Sequence, residues 1–268
     1  MPFYDANDAA IYYEIEGKGR PLVLLHGYAL NGIMWELQSP ALAKNNTIIT
    51  VDLRGFGKSS CGKNWSGTIM ADDVKGLIKS LDLSDVAVLG FSLSGPAAFR
   101  IALDIPQIIT SLIMVSSILP SAGRPKAKKE AEFHRKERDM LRLRGPEAWA
   151  EGMGLWKGPL VNNIFKRNPD ARPVWERMIV RHNPDYLLSM MTARDMTPSL
   201  VNWRSRLGEI SVPALIVAGA QDSGFIDSAH YLNRNIPNSQ LEIINGAGHM
   251  VNLESPEEFN KVLSGFLI

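Results

Sequence analysis

The stretch VAVLGFSLSGPAAF, Val86 to Phe99, decides the fold. It runs from a continuous apolar segment, through small residues carrying two serines, into a segment of helix formers. A Val/Leu run of this kind suits a strand covered on both faces. Pro96 suits the first turn of a helix. Between them the chain must turn sharply, and one residue at such a turn stands exposed. The helix then packs close to the strand, so the positions two before and two after the exposed residue must be small. Ser92 has Gly90 and Ser94 at those positions. Ser94 has Ser92 and Pro96, and already lies past the strand. Ser92 is therefore the candidate nucleophile. Ser94 stands where glycine is commoner, and its hydroxyl is expected to fit there or to accept from backbone N–H groups of the first turn. Pro96 biases Gly95 away from helical geometry, so a slightly irregular turn is expected.

Working outward, short apolar runs recur, separated by segments of helical length. PLVLLHG, NTIITVDLRG, IITSLIMVSS, VPALIVAG and QLEIING read as further strands. The segments 33–44, 71–81, 96–103, 228–235 and 256–267 read as helices. Strand and helix in alternation argue an α/β layer fold with a mostly parallel sheet. The opening AIYYEIEG alternates and is expected to form an antiparallel edge. Leu119 to about Arg206 contains no strand pattern, and roughly 85 residues of helix is too long for a crossover. The expected division is a core of residues 1–118 and 207–268, with 119–206 a helical cap over the carboxyl ends of the strands, where open α/β sheets bind ligands.

A serine needs a base. His134 and His182 fall among charged residues of the insertion and are expected at the surface, and His230 on a solvated helix. His26 ends a strand. His249, in the glycine-rich GAGHMVNLESPEEF after the last strand, is the candidate base. Asp222, three residues beyond Gly219 in ALIVAGAQDSGF, is the candidate orienting acid, with Asp227 as the fallback. The order Ser92, Asp222, His249 is that of one known triad arrangement. Oxyanion stabilisation needs two backbone N–H groups, expected from Leu93 and from Tyr28 in LLHGYAL, where Gly27 allows a close backbone approach.

Composition narrows the partners. Among 268 residues the formal net charge is +1, which removes the electrostatic case for nucleic acid. One cysteine, Cys61, excludes an internal disulfide and a multi-cysteine metal site. The start of the chain does not read as a leader, and no apolar run reaches the ~18 residues of a membrane span. A cytoplasmic protein, monomer or homodimer, acting without metal or organic cofactor and away from membranes is expected.

LLHGYAL, VDLRGFGKSS, LGFSLSG, VAGAQD and GAGHMVNLESPEEF, in this order, resemble the α/β-hydrolase superfamily, in its small esterase-, perhydrolase- and lactonase-like members with a helical cap. The resemblance covers nearly all of the chain outside the insertion. It implies an eight-stranded, mostly parallel sheet flanked by helices. It also implies a triad of Ser92, Asp222 and His249, oxyanion donors at Tyr28 and Leu93, and a structural turn around Asp52, Arg54 and Gly57. The serine departs from the aspartate of epoxide hydrolases and haloalkane dehalogenases. Met250 departs from the tryptophan usual in carbon–carbon hydrolases. The expected activity is hydrolysis of a small or medium carboxylic ester, lactone or thioester through an acyl-enzyme. The alternatives are a carbon–carbon bond hydrolase or lyase acting on an activated ketone, and a slow-turnover small-molecule receptor. The expected pocket residues are Leu30, Trp35, Phe91, Trp156 and Met250, with Met153, Met190 and Met191 as further candidates. The basic stretch from Lys126 to Arg144 is expected to be a solvated helix face.

Overall fold

The structure, a computed structural model, describes residues 2–117, 119, 128–196 and 202–267. In chain order the elements before the insertion are β1 (Phe3–Asp5), β2 (Ala10–Gly17), β3 (Arg20–Leu25), α1 (Ser39–Leu42), β4 (Asn46–Val51), α2 (Gly67–Ser80), β5 (Val86–Phe91), α3 (Gly95–Asp104) and β6 (Ile109–Val115). Then come α4 (Lys128–Gly152), α5 (Pro159–Arg167), α6 (Ala171–Val180) and α7 (Pro184–Met196). The chain closes with β7 (Ala214–Gly219), α8 (Ile226–Asn235), β8 (Ser239–Ile244), α9 (Val251–Glu254) and α10 (Pro256–Phe266).

The strands form one eight-stranded sheet in the order β1-β2-β4-β3-β5-β6-β7-β8. From β4 to β8 all neighbours are parallel. Every residue of β5 and β7 is buried, which is why these strands read as unbroken apolar runs. AIYYEIEG is β2 and pairs antiparallel with β4. It is not the edge, because Phe3–Asp5 pairs outside it.

The expected helix 33–44 is instead a 3-10 turn, Gly32–Trp35, followed by the single turn α1. Pro40 is the reason: it lacks an N–H and its ring would clash with the carbonyl four residues back, so the helix must restart with Pro40 in its first turn. In α4 the chain breaks at Gly145 (φ +84°), a conformation strained for other residues, and Pro146 opens the second segment.

Helices α4 to α7 lie between β6 and β7 in the chain. Of the basic stretch, residues 126 and 127 lie outside the described residues, as do residue 118, the last of the expected first core segment, and residues 120–125 and 197–201 of the expected cap. At the other end, a 3-10 segment Trp203–Glu209 spans the expected boundary at 206/207. Trp203 packs edge-on against Phe99 of α3. Helix α6 packs on the Gly32–Trp35 turn and α5 on α9. In the chain, Gly32–Trp35 follows β3 and α9 follows β8. Among the described residues no helix is long and apolar enough to cross a membrane.

Candidate active site

Strand β5 ends at Phe91, and Ser92–Ser94 makes a 3-10 turn into α3. Ser92 sits at φ +51°, the left-handed region, which costs a non-glycine residue about 1–2 kcal/mol. The joint around it is tightly packed. A Cβ on Gly90 would lie 2.7 Å from the Ser94 carbonyl oxygen and 2.8 Å from the Ala98 Cβ. A Cβ on Gly95 would lie 1.7 Å from Ser117 Oγ, and that hydroxyl donates to the Ser92 carbonyl at 2.8 Å. Ser94 is fully buried. Its Oγ accepts from the Phe91 N–H at 2.9 Å and lies 2.9 Å from the Leu25 carbonyl oxygen, so its hydroxyl is engaged by backbone. The expected irregularity at Gly95 is absent: Gly95 is helical at φ −54°, ψ −45°. Glycine lacks the Cβ through which a following proline chiefly disfavours helical geometry.

The structure brings the three sequence-derived residues together. His249, in the turn between β8 and α9, places Nε2 3.1 Å from Ser92 Oγ. Its Nδ1 lies 2.9 Å from Asp222 Oδ2, at the end of β7. A carboxylate at Nδ1 holds the ring hydrogen there and leaves the Nε2 lone pair facing the serine hydroxyl. Asp222 is buried, whereas Asp227 is exposed on α8. The rings of Phe91 and Phe225 flank the imidazole, with centroids 5.3 and 4.4 Å away. Glu254, also buried, accepts the N–H groups of Gly248 (2.8 Å) and Met250 (3.2 Å). One carboxylate thus ties both peptide neighbours of the base.

The two expected oxyanion donors are the backbone N–H groups of Leu93 and Tyr28. Leu93 N–H stands at the start of a helical segment, where N–H groups precede any intrahelical acceptor. On the other loop, Leu53 N–H donates to His26 Nε2 at 2.9 Å, so His26 Nδ1 carries the hydrogen and donates to the Gly27 carbonyl at 2.7 Å. That carbonyl and the Tyr28 N–H share one trans peptide and point opposite ways. Complete burial pushes the His26 imidazole down to about 4, so it stays neutral.

His182 is a correction. Its charged sequence neighbours suggest the surface, yet it is buried at the α6–α7 corner. Nδ1 accepts from the Gly57 N–H at 2.9 Å and Nε2 donates to the Ala29 carbonyl at 3.0 Å. Burial pushes it down to about 4 as well. His230 is exposed and His134 half-buried. The turn 52–58 is built as the motif implies. Asp52 accepts from the Gly32 and Lys58 N–H groups at 2.7 and 2.9 Å, and a Cβ on Gly57 would lie 2.1 Å from its carboxylate. Arg54, 2% exposed, makes a two-pronged bond to Asp73 with both contacts at 2.5 Å.

Leu30, Phe91 and Met250 are buried. Trp35 is fully buried, stacked on Phe259 and edge-on to Phe91. Trp156 lines a cleft on the inserted helices with Arg144, Glu147, Glu151, Lys157 and Val180, and Ser92 is not among that cleft's residues. Sequence reasoning missed Phe225, Glu254, Ser117, His182 and Glu137. Glu254 lies inside the His249 motif, Phe225 closes the stretch that carries Asp222, and Ser117 ends a stretch read as a strand. The others act through contacts between distant segments.

Comparison with known proteins finds relatives over nearly the whole chain. The model of the Alpha/beta hydrolase family matches residues 22–262. AB hydrolase superfamily protein YisY from Bacillus subtilis (strain 168) is 30% identical over 273 residues, covering 96% of this chain and 94% of its own. A thermophilic esterase from Thermogutta terrifontis, solved with malate bound, matches with a TM-score of 0.81 and 27% identity over 97% of this chain and 93% of that one. An esterase from Exiguobacterium antarcticum matches at 0.79 and 27% over 99% and 98%.

Proposed function

Because the chain belongs to the alpha/beta hydrolase family, we propose that it hydrolyses small or medium carboxylic esters, lactones and thioesters included, through an acyl-enzyme on Ser92. One observation carries this reading: an unbroken series from Asp222 Oδ2 to His249 Nδ1 (2.9 Å), and from His249 Nε2 to Ser92 Oγ (3.1 Å), ending on a serine in a left-handed elbow. The esterase structures that match over nearly all of the chain support the ester as the bond cleaved.

His249 takes the Ser92 proton as Oγ attacks the acyl carbon, and Asp222 stabilises the resulting imidazolium. The N–H groups of Tyr28 and Leu93 hold the oxyanion. His249 then gives the proton to the leaving alcohol. Water enters, His249 accepts its proton, and the acid departs from regenerated Ser92. The inserted helices α4–α7 serve as the cap, and the apolar side chains of Leu30, Phe91 and Met250 suit an uncharged acyl or aryl group.

The test is intact-protein mass after exposure to a serine-directed fluorophosphonate, with p-nitrophenyl acetate turnover measured alongside. Wild type and Ser94→Ala are expected to gain one adduct and to turn over the ester; Ser92→Ala does neither. Labelling of Ser92→Ala would refute the nucleophile. Labelling of Ser92 without turnover of an ester panel would move the slow-turnover receptor ahead.

A further inference from the structure

The loop that carries the Tyr28 N–H is held from outside the core. Ala29 sits at φ +58°, a conformation a non-glycine residue keeps only when its surroundings over-determine it. Three ties come from the inserted helices. The Tyr28 hydroxyl donates to Glu137 Oε1 on α4, an acid 2% exposed. His182 donates to the Ala29 carbonyl at 3.0 Å. Asn31 Nδ2 donates to the Met178 carbonyl of α6 at 2.7 Å.

Glu137 is itself fixed. Trp149 Nε1, from the second segment of α4, lies 3.3 Å from the same oxygen and donates to it. The Trp149 ring stands edge-on to His182 at 6.3 Å, and the Phe56 ring is edge-on to both Tyr28 (5.8 Å) and His182 (6.2 Å). Glu137, Trp149, His182, Phe56 and Tyr28 therefore form one closed packing unit, in which the insertion grips the loop by a side chain and by the next carbonyl. A buried acid is worth keeping in such a place only if its hydrogen bonds are made, and here two donors converge on it.

We propose that Glu137 is a positioning residue for the oxyanion site. By holding the Tyr28 hydroxyl, together with the His182 bond to Ala29, it keeps the Tyr28 backbone N–H aimed at the developing oxyanion. On this reading the inserted helices are part of the catalytic apparatus as well as a cover. The inference rests on the proposed ester hydrolysis. It also gives a side-chain handle on a backbone donor, which substitution of Tyr28 alone does not remove.

The experiment compares steady-state hydrolysis of p-nitrophenyl acetate by wild type, Glu137→Ala, Glu137→Gln, Tyr28→Phe and the Tyr28→Phe/Glu137→Ala pair. Rates are expressed per fluorophosphonate-titrated site, which discounts unfolded protein. Outright loss of one oxyanion donor costs ~10²–10³ in kcat, so a loosened one is expected to cost about tenfold, with KM within about twofold. Glu137→Gln keeps an acceptor for the Tyr28 hydroxyl and is expected to recover to within about threefold of wild type. Both single variants lose the same bond, so the pair is expected to be no slower than either alone. Unchanged kcat in Glu137→Ala, a loss confined to KM, no recovery in Glu137→Gln, or additive losses would overturn the proposal. If Ser92→Ala still hydrolyses the ester, the parent reading fails. If Ser92→Ala is inactive and Glu137→Ala matches wild type, only the positioning role fails.

Discussion

Lowering the pH from 7 to 5 should destabilise this protein through two histidines that take no part in the chemistry. His26 and His182 are buried, and each has both ring nitrogens committed to backbone groups. Burial pushes each from 6.5 in the unfolded chain down to about 4. The depressed value means the unfolded state takes up the proton first. The stability is thus present above pH 6.5 and is lost as the pH falls toward 4. With 1.36 kcal/mol per unit, each residue contributes a loss of about 2 kcal/mol between pH 7 and pH 5, and the two together about 4 kcal/mol. That is a large share of the 5–15 kcal/mol typical of a folded domain. The assay is urea unfolding at pH 7, 6 and 5 for wild type and His182→Gln. Glutamine can still accept from Gly57 and donate to Ala29 but does not titrate. The variant should lose about half of the wild-type pH dependence, and carboxylate contributions cancel in the difference. Equal pH dependence in both proteins would refute the assignment of His182 as a buried neutral imidazole.

Other substitutions probe the site and its frame. Asp222→Asn should lower kcat by about 10⁴ with little effect on stability, because the amide favours the wrong imidazole tautomer; ester kinetics beside a denaturation curve check this. Gly95→Ala must displace Ser117, whose Oγ would lie 1.7 Å from the new Cβ, and should cost about 1–3 kcal/mol in urea unfolding together with activity. Asp73→Ala leaves the Arg54 guanidinium buried without its main partner and should cost about 3–5 kcal/mol, whereas Arg54→Met/Asp73→Leu should recover most of that loss on thermal unfolding.

Much of the fold and of the candidate site is legible in the residues themselves, because those features depend on local chemistry. A fully buried parallel strand must be apolar throughout, and β5 and β7 are. A tight strand–helix joint must be flanked by small residues: Gly90 and Ser94 stand there, and a Cβ on Gly90 would collide. Ser92, Asp222 and His249 each lie just beyond a recognisable strand, and parallel strands bring their carboxyl ends to one side of the sheet. Their convergence therefore follows from topology. Where local rules compete, the reading goes astray: Pro40 splits the expected helix 33–44, and glycine before Pro96 escapes the restriction placed on other residues.

The ties across the fold were decided by tertiary structure alone. His182 stands among charged residues, and no periodicity marks it as buried. It reaches the interior because the α6–α7 corner docks against the loops at Ala29 and Gly57, more than a hundred residues away in sequence. Glu137 reads as one charge in a solvated basic helix, yet the kink at Gly145 folds Trp149 back beside it and Tyr28 rises to meet it. Sequence records what each residue can do within its own turn or strand. Which distant donor satisfies a buried acceptor is settled only when the layers pack.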